Sequence, residues 1–224
     1  DGFGNLSTPG LLFWNDFANR GGENEFYGAF DNLGLVAGRD YDIYYTNAPS
    51  SGVGNGIGGR TSGLALAGYN DMVYTSGNLG VNTISNGDFT NDAGNDQEAL
   101  INWMSAGNKD LLITGDDIAS DLGENSGAFG LSFLEDVMGV NLGTNNVRSF
   151  IGNQATPLVL TTPGNTVITS VSSWIAYGGC FGINTFDGVT VRAGAERLAE
   201  FADPSGNPGA YAYSAATLNT YNLT

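Results

Sequence analysis

The sequence predicts an α/β fold: a parallel sheet with helices on both faces, followed by a β-rich C-terminal extension. Three observations predict it. From Leu11 to Met138, short apolar runs that suit buried strands alternate with segments of helical periodicity. Each run ends in small, polar or acidic residues, as strand-to-helix loops do. After Gly139 the helical spacing gives way to strand-like segments. The expected organisation is an N-terminal extension over 1–10, an α/β part over 11–140, and a β-rich part over 141–224 that completes the same domain.

The elements follow in order. Leu11 to Trp14 is a continuous apolar run, the mark of a strand buried on both faces. Glu23 to Leu35 carries Phe26, Phe30 and Leu33 at helical spacing, and Gly34 stands where a helix C-cap would. Tyr41 to Thr46 reads as a second strand. Residues 47–63 are glycine-rich, with Gly52, Gly54, Gly56, Gly58, Gly59 and Gly63, and read as a long loop. A short helix is expected over Thr61 to Tyr69, a third strand over Met72 to Thr75, and a polar loop over 79–96. Asp96 is expected to cap a helix over Gln97 to Ser105 that Gly107 stops. A fourth strand, Asp110 to Thr114, precedes helical segments at Ile118 to Leu122 and Phe129 to Met138. Beyond Val140, strands are expected at Pro157 to Thr161, Thr166 to Ile168, Trp174 to Tyr177, Val189 to Arg192 and Ala210 to Leu218; Arg192 to Phe201 reads as helix or strand.

Composition narrows the functions. The chain of 224 residues carries 7 Lys and Arg against 23 Asp and Glu, a net charge of -16. That balance repels nucleic-acid phosphates and anionic membrane surfaces, and attracts cations. No apolar run approaches the roughly 18 residues of a membrane span. Abundant Gly, Asn, Ser and Thr with little Lys fit an exported protein, so the expected location is extracellular or at the cell surface. Asp1 to Pro9 is polar, so export would rest on a leader already removed or on a longer precursor. The one cysteine, Cys180, allows no intrachain disulfide.

Open parallel sheets bind ligands at the carboxyl ends of their strands. Here those ends are Asn15-Asp16, Thr46-Asn47, Ser76-Gly77-Asn78 and Gly115-Asp116-Asp117. A strand order of 2-1-3-4 would bring Asp16, Asn78 and Asp116 together, an oxygen set suited to Mg²⁺ or Ca²⁺. The competing reading makes them helix caps and turn formers. A second acidic cluster, Gly87 to Asp96 with Glu98, offers Asp88, Asp92, Asp96 and Glu98 to Ca²⁺, although its spacing departs from the EF-hand pattern. The candidate metal ligands are therefore Asp88, Asp92, Asp96, Glu98, Asp16, Asp116 and Asp117, with Ca²⁺ the expected ion.

Catalytic signatures are sparse. The chain has no histidine, which removes Ser-His-Asp and Cys-His mechanisms and most zinc sites. Cys180, within Tyr177 to Gly182, lacks a base and reads as a small core residue. Nothing marks a carboxylate pair for glycoside hydrolysis. Trp14, Trp103 and Trp174 lie in apolar segments that read as core. Gly58 to Gly63 lacks the Lys and spacing of a phosphate loop.

The segments NDFANRGGENEFYGAFDNLGL, DMVYTSGN, LINWMSAGNKDLLITGDDIAS and LSFLEDVMGV together resemble the amidotransferase-like domains of exported bacterial proteins, relatives of the class I glutamine amidotransferases. The resemblance spans roughly Leu11 to Val140 and implies a flavodoxin-like three-layer sheet. In the active enzymes a Cys sits at the elbow after a central strand, within Gly-x-Cys-x-Gly. Here Gly115, Asp116 and Asp117 occupy that turn, and no His is present to act as partner. Gly178 to Gly182 matches the pattern in letters but comes far too late in the chain. The resemblance thus implies the fold without glutaminase activity. The expected function is a non-catalytic surface module that binds proteins or its own copies and is stabilised by Ca²⁺. The alternative is a metal-dependent hydrolase using the strand-end aspartates.

Overall fold

The computed structural model of this chain describes residues 9–16, 22–46, 56–61, 63–84, 94–153, 156–176, 185–203, 205–207 and 213–221. Its contacts divide it into two units, Asp1–Gly77 with Asn82–Gly115, and Asn78–Val81 with Asp116–Thr224.

In the first unit the apolar run Leu11–Asn15 forms β1, buried on both faces because Leu12, Phe13 and Trp14 are all apolar and large. It is flanked by Tyr41–Tyr45 (β2) and Asp71–Thr75 (β3), and β3 is flanked by Asp110–Thr114 (β4). The order β2-β1-β3-β4 is all parallel, with every pair in unbroken register. An α/β fold with a parallel sheet is therefore observed, and its strand order is the 2-1-3-4 on which the sequence reading depended.

Helix α1 (Glu23–Asn32) covers one face of that sheet. Phe26 and Phe30 reach Phe13 of β1 with ring centroids 5.3 and 5.2 Å apart, and Phe30 meets Tyr41 at 4.7 Å. Burying these rings supplies most of the helix's anchoring, since an isolated ten-residue helix is marginal in water. Gly34 takes the left-handed conformation at φ 75°, ending the helix as its sequence position predicts. On the opposite face Leu12, Trp14, Met72 and Tyr74 are all buried, and Trp14 and Tyr74 pack edge to face at 4.6 Å.

A helical turn, α2 (Ile57–Arg60), lies in the stretch read as loop, and after extended backbone at Thr61 the short helix expected over Thr61 to Tyr69 is α3 (Gly63–Leu66). Helix α4 spans Asp96–Met104 and buries Leu100 and Trp103. The Trp103 indole donates to the Tyr69 carbonyl at 3.0 Å, and Lys109 lies over the ring.

The second unit carries a six-stranded antiparallel sheet, ordered β5-β8-β10-β9-β6-β7. Its strands are Val140–Thr144 (β5), Leu158–Thr161 (β6), Ser173–Ile175 (β7), Gly188–Val191 (β8), Glu196–Phe201 (β9) and Ser214–Leu218 (β10). Its core gathers Val147, Val159, Ala199 and Phe201, with Trp174, Phe186 and Tyr213 against them. The ring of Tyr213 lies on the bare backbone of Gly143 and Gly188, where a Cβ would overlap it.

Two helices, α5 (Ile118–Ser120) and α6 (Gly127–Ser132), run on into wide i→i+5 turns over Asp121–Asn125 and Phe133–Val137. Arg192 pairs with Glu135 and Asp136 of the second wide turn. Thr166 to Ile168 is a turn and not a strand, because Asn165 holds it: its Oδ1 accepts from Ile168 N at 2.7 Å. Arg192 to Phe201 resolves into a turn, with Gly194 at φ 98°, followed by β9.

Candidate functional site

The carboxyl edge of the parallel sheet is the expected place for a site, and in the first unit its acidic residues are committed to the fold. Asp16 follows β1 and is fully buried. Its Oδ2 accepts from the Tyr74 hydroxyl at 2.9 Å, and its backbone N–H continues the ladder to Thr75 O. Beside it the Trp14 indole donates to Thr46 Oγ1 at 2.8 Å, so the end of β2 is pinned to β1. Tyr44 donates to the Gly56 carbonyl at 3.1 Å. Burial raises the Tyr44 phenol above its usual range, Arg60 acts against that, and Asp96 and Asp16 add to it.

Asp96 is also fully buried. Its Oδ1 accepts from Gly58 N at 2.7 Å. The glycines of the Gly56 to Arg60 stretch have a packing reason. A Cβ on Gly56 would overlap the Asp96 carboxylate, and one on Gly58 would overlap the Asn95 carbonyl. The segment read as flexible loop is, from Gly56 onward, a turn laid closely on the start of α4; residues 47–55 and 62 lie outside the described residues.

The N-cap of α4 is Asn95, and Asp96 is the first helical residue, a correction by one position. Asn95 Oδ1 accepts from Glu98 N at 2.9 Å, and the Glu98 carboxylate accepts from Asn95 Nδ2 at 3.2 Å. An amide serves here because it caps and is capped in return, which leaves the Asp96 carboxylate for Gly58. Of the expected Ca²⁺ loop, Asp88 and Asp92 lie outside the described residues.

The second unit holds the more unusual arrangement. Asp116 and Asp117 precede α5, and the segment Thr185 to Asp187 lies against them. Asp187 N donates to Asp116 O at 3.2 Å. Asp187 Oδ2 accepts from Ser120 N at 2.8 Å, and Thr185 Oγ1 donates to Asp117 Oδ1 at 3.0 Å. Asp116 is 8% exposed, and its Oδ1 and that of Asp187 are buried without a hydrogen-bond partner.

Burial pushes the Asp116 carboxyl up to about 8, with Asp117 and Asp187 adding to it. Burial also pushes Asp187 up to about 7 against the hydrogen bond from Ser120, and raises Asp117 against that from Thr185. Burial in a confined space of like charge disfavours ionisation of both Asp116 and Asp187 near neutral pH.

Sequence reading found Asp116 and Asp117 but missed Asp187. Its one signal is an acidic residue at the mouth of a strand, and its partner lies 71 positions away in the chain numbering, at Asp116. Among the described residues, no three Asp, Glu, His or Cys side chains are gathered so as to hold a metal ion jointly. Trp14 and Trp103 are core residues, as expected, and Trp174 packs on the β6–β9 core. Cys180 lies outside the described residues. No helix among the described residues is long and apolar enough to cross a membrane. No family model matches this chain, and no curated protein sequence does.

Proposed function

We propose that this chain is a non-catalytic module of an exported or surface-displayed protein, acting by binding protein partners or further copies of itself, on a flavodoxin-like, amidotransferase-related sheet. The observation that carries this reading is the use made of Asp16 and Asp96. Both are completely buried and hydrogen-bonded within the first unit, so these two of the expected metal ligands serve folding. With no histidine in the chain, the common nucleophile–base pairs are absent. Support for association comes from β4, which pairs only with β3 among the described strands and leaves Leu112 53% exposed. An open apolar edge strand is a ready template for another chain.

The test joins two measurements on the purified chain. Sedimentation over a wide range of concentration should reveal self-association that Leu112→Lys weakens, and assays against ester, phosphoester and glycoside substrates should show no turnover. A chain that stays monomeric and turns over a substrate overturns the reading. A second reading, hydrolysis at the strand-end aspartates Asp116 and Asp117, draws on the burial that favours a proton on Asp116, a condition suited to general acid catalysis. Turnover abolished by Asp116→Ala in a folded protein would establish it.

A further inference from the structure

We propose that Asp116 and Asp187 together hold a hard divalent cation, Ca²⁺ by preference, with Asp117 beside it. The inference does not depend on the function proposed above. Several carboxylates in one neighbourhood say little alone in a chain this acidic. What points to a ligand is Asp116: it is 8% exposed, and its Oδ1 has no hydrogen-bond partner. Buried polar atoms are nearly always satisfied, and an orphaned carboxylate oxygen asks for an ion or a proton. Asp187 adds a second such oxygen, and the hydrogen bond from its own N–H to Asp116 O places the two residues side by side.

The groups facing the pair are known. Asp117 and Asp187 bear on Asp116; Asp117 bears on Asp187; Asp121 bears on Asp117. The remaining influences on the three are hydrogen-bond donors, Ser120 and Ala119 for Asp187 and Thr185 for Asp117, none of them cationic. No third carboxylate completes a shared ligand sphere among the described residues. The site therefore has two carboxylates, with water and neutral oxygens filling the remaining positions. Such a set suits weak, oxygen-rich coordination of the kind found in extracellular modules, with Kd on the order of 10⁻⁴–10⁻³ M. Binding requires the ionised form of both carboxyls, so the ion displaces their protons to the buffer.

The experiment is calorimetric titration of CaCl₂ into chelator-stripped protein at pH 7.5, on wild type, Asp116→Asn and Asp187→Asn, with circular dichroism to confirm folding. Wild type should bind Ca²⁺ with proton release, and each variant should lose roughly tenfold or more in affinity. Affinity unchanged in both variants would place the ion elsewhere and overturn the proposal, as would no binding of Ca²⁺ or Mg²⁺ by wild type. Should the variants fail to fold, wild type alone decides. Mn²⁺ added as a paramagnetic probe should broaden the amide NMR signals of Asp116, Ser120 and Asp187 before those of other residues, and excess Ca²⁺ should reverse the broadening. Broadening centred elsewhere, or none at millimolar Mn²⁺, would overturn the site.

Discussion

The Tyr74 hydroxyl donates to Asp16 Oδ2 at 2.9 Å, and both residues are buried completely. The bond joins β3 to the residue just past β1, so the side chains that end two neighbouring strands fix each other. A hydrogen bond to a buried carboxyl group is among the stronger kinds, and removing the donor leaves the acceptor's desolvation uncompensated. Tyr74→Phe keeps the ring that packs on Trp14 and deletes only the hydroxyl. Urea unfolding should show a loss of about 1–3 kcal/mol. Tyr44→Phe should lose less, about 0.5–1.5 kcal/mol, because the Tyr44 bond to Gly56 O is only part-buried and its second partner, Arg60, is exposed to solvent. Equal losses would mean that the Asp16 contact has no special weight.

The approach of Gly56 and Gly58 to the start of α4 predicts a graded response. In Gly58→Ala the new methyl meets the Asn95 carbonyl, a backbone atom that no rotamer change can clear. In Gly56→Ala it meets the Asp96 carboxylate, a side chain held by Gly58 N. Both should destabilise, by about 1–3 kcal/mol or more as overpacking does, with Gly58→Ala the worse. Asp96→Asn keeps an acceptor for Gly58 N and should be milder than Asp96→Ala, which orphans that donor. Thermal unfolding of the four variants checks the order.

Much of the fold was legible because its strands are short apolar runs set between turn residues. Leu11 to Trp14 and Asp110 to Thr114 announce themselves, and their parallel pairing follows from the alternation with helices, whereas the order 2-1-3-4 enters the sequence reading only as a condition. The misreadings share a cause: local signals decided by contacts distant in the chain. The glycines at 56 and 58 look like flexibility until Asn95 and Asp96 are seen against them. Thr166 to Ile168 has strand propensity, which an Asn165 side-chain bond overrides. Asp187 shows in the sequence only as an acid just before a strand, and its meaning comes from Asp116 and Ser120. Asp16, Asp116 and Asp117 were visible as strand-end acids, but the burial they share and the hydrogen-bond partners that tell Asp16 from Asp116 were not.

The reciprocal pair of Asn95 and Glu98 yields a separate expectation. Asn95→Ala removes the acceptor for Glu98 N and should cost about 1 kcal/mol, in the range of N-cap losses. Asn95→Asp keeps the acceptor and adds a charge that the helix dipole favours, yet it places that charge beside Glu98 and Asp96. It should therefore recover most of the cap and become less favourable as salt is lowered. A comparison of melting temperatures at low and high ionic strength separates the two effects.

The carboxyls of Asp116 and Asp187 make stability depend on pH in an unusual direction. Both sit far higher in the folded chain, at about 8 and about 7, than the roughly 3.9 of an unfolded Asp. The folded state therefore binds more protons than the unfolded state between pH 4 and 8. Their contribution is full below the unfolded value and is lost as pH rises through the folded ones. Within that window each can lower stability by at most about 1.4 kcal/mol per pH unit, less where solvent screens the charge. In chelator, wild type should lose stability as pH is raised from 5 to 8.5. Asp116→Asn should flatten the upper part of that fall and be the more stable protein at pH 8.5, because its amide cannot ionise. Millimolar Ca²⁺ should offset part of the loss in wild type and leave Asp116→Asn nearly unchanged. Urea unfolding across this pH range, with and without the ion, reads all three effects, and a wild-type profile that is flat or rising would show both carboxyls ionised at no cost to the fold.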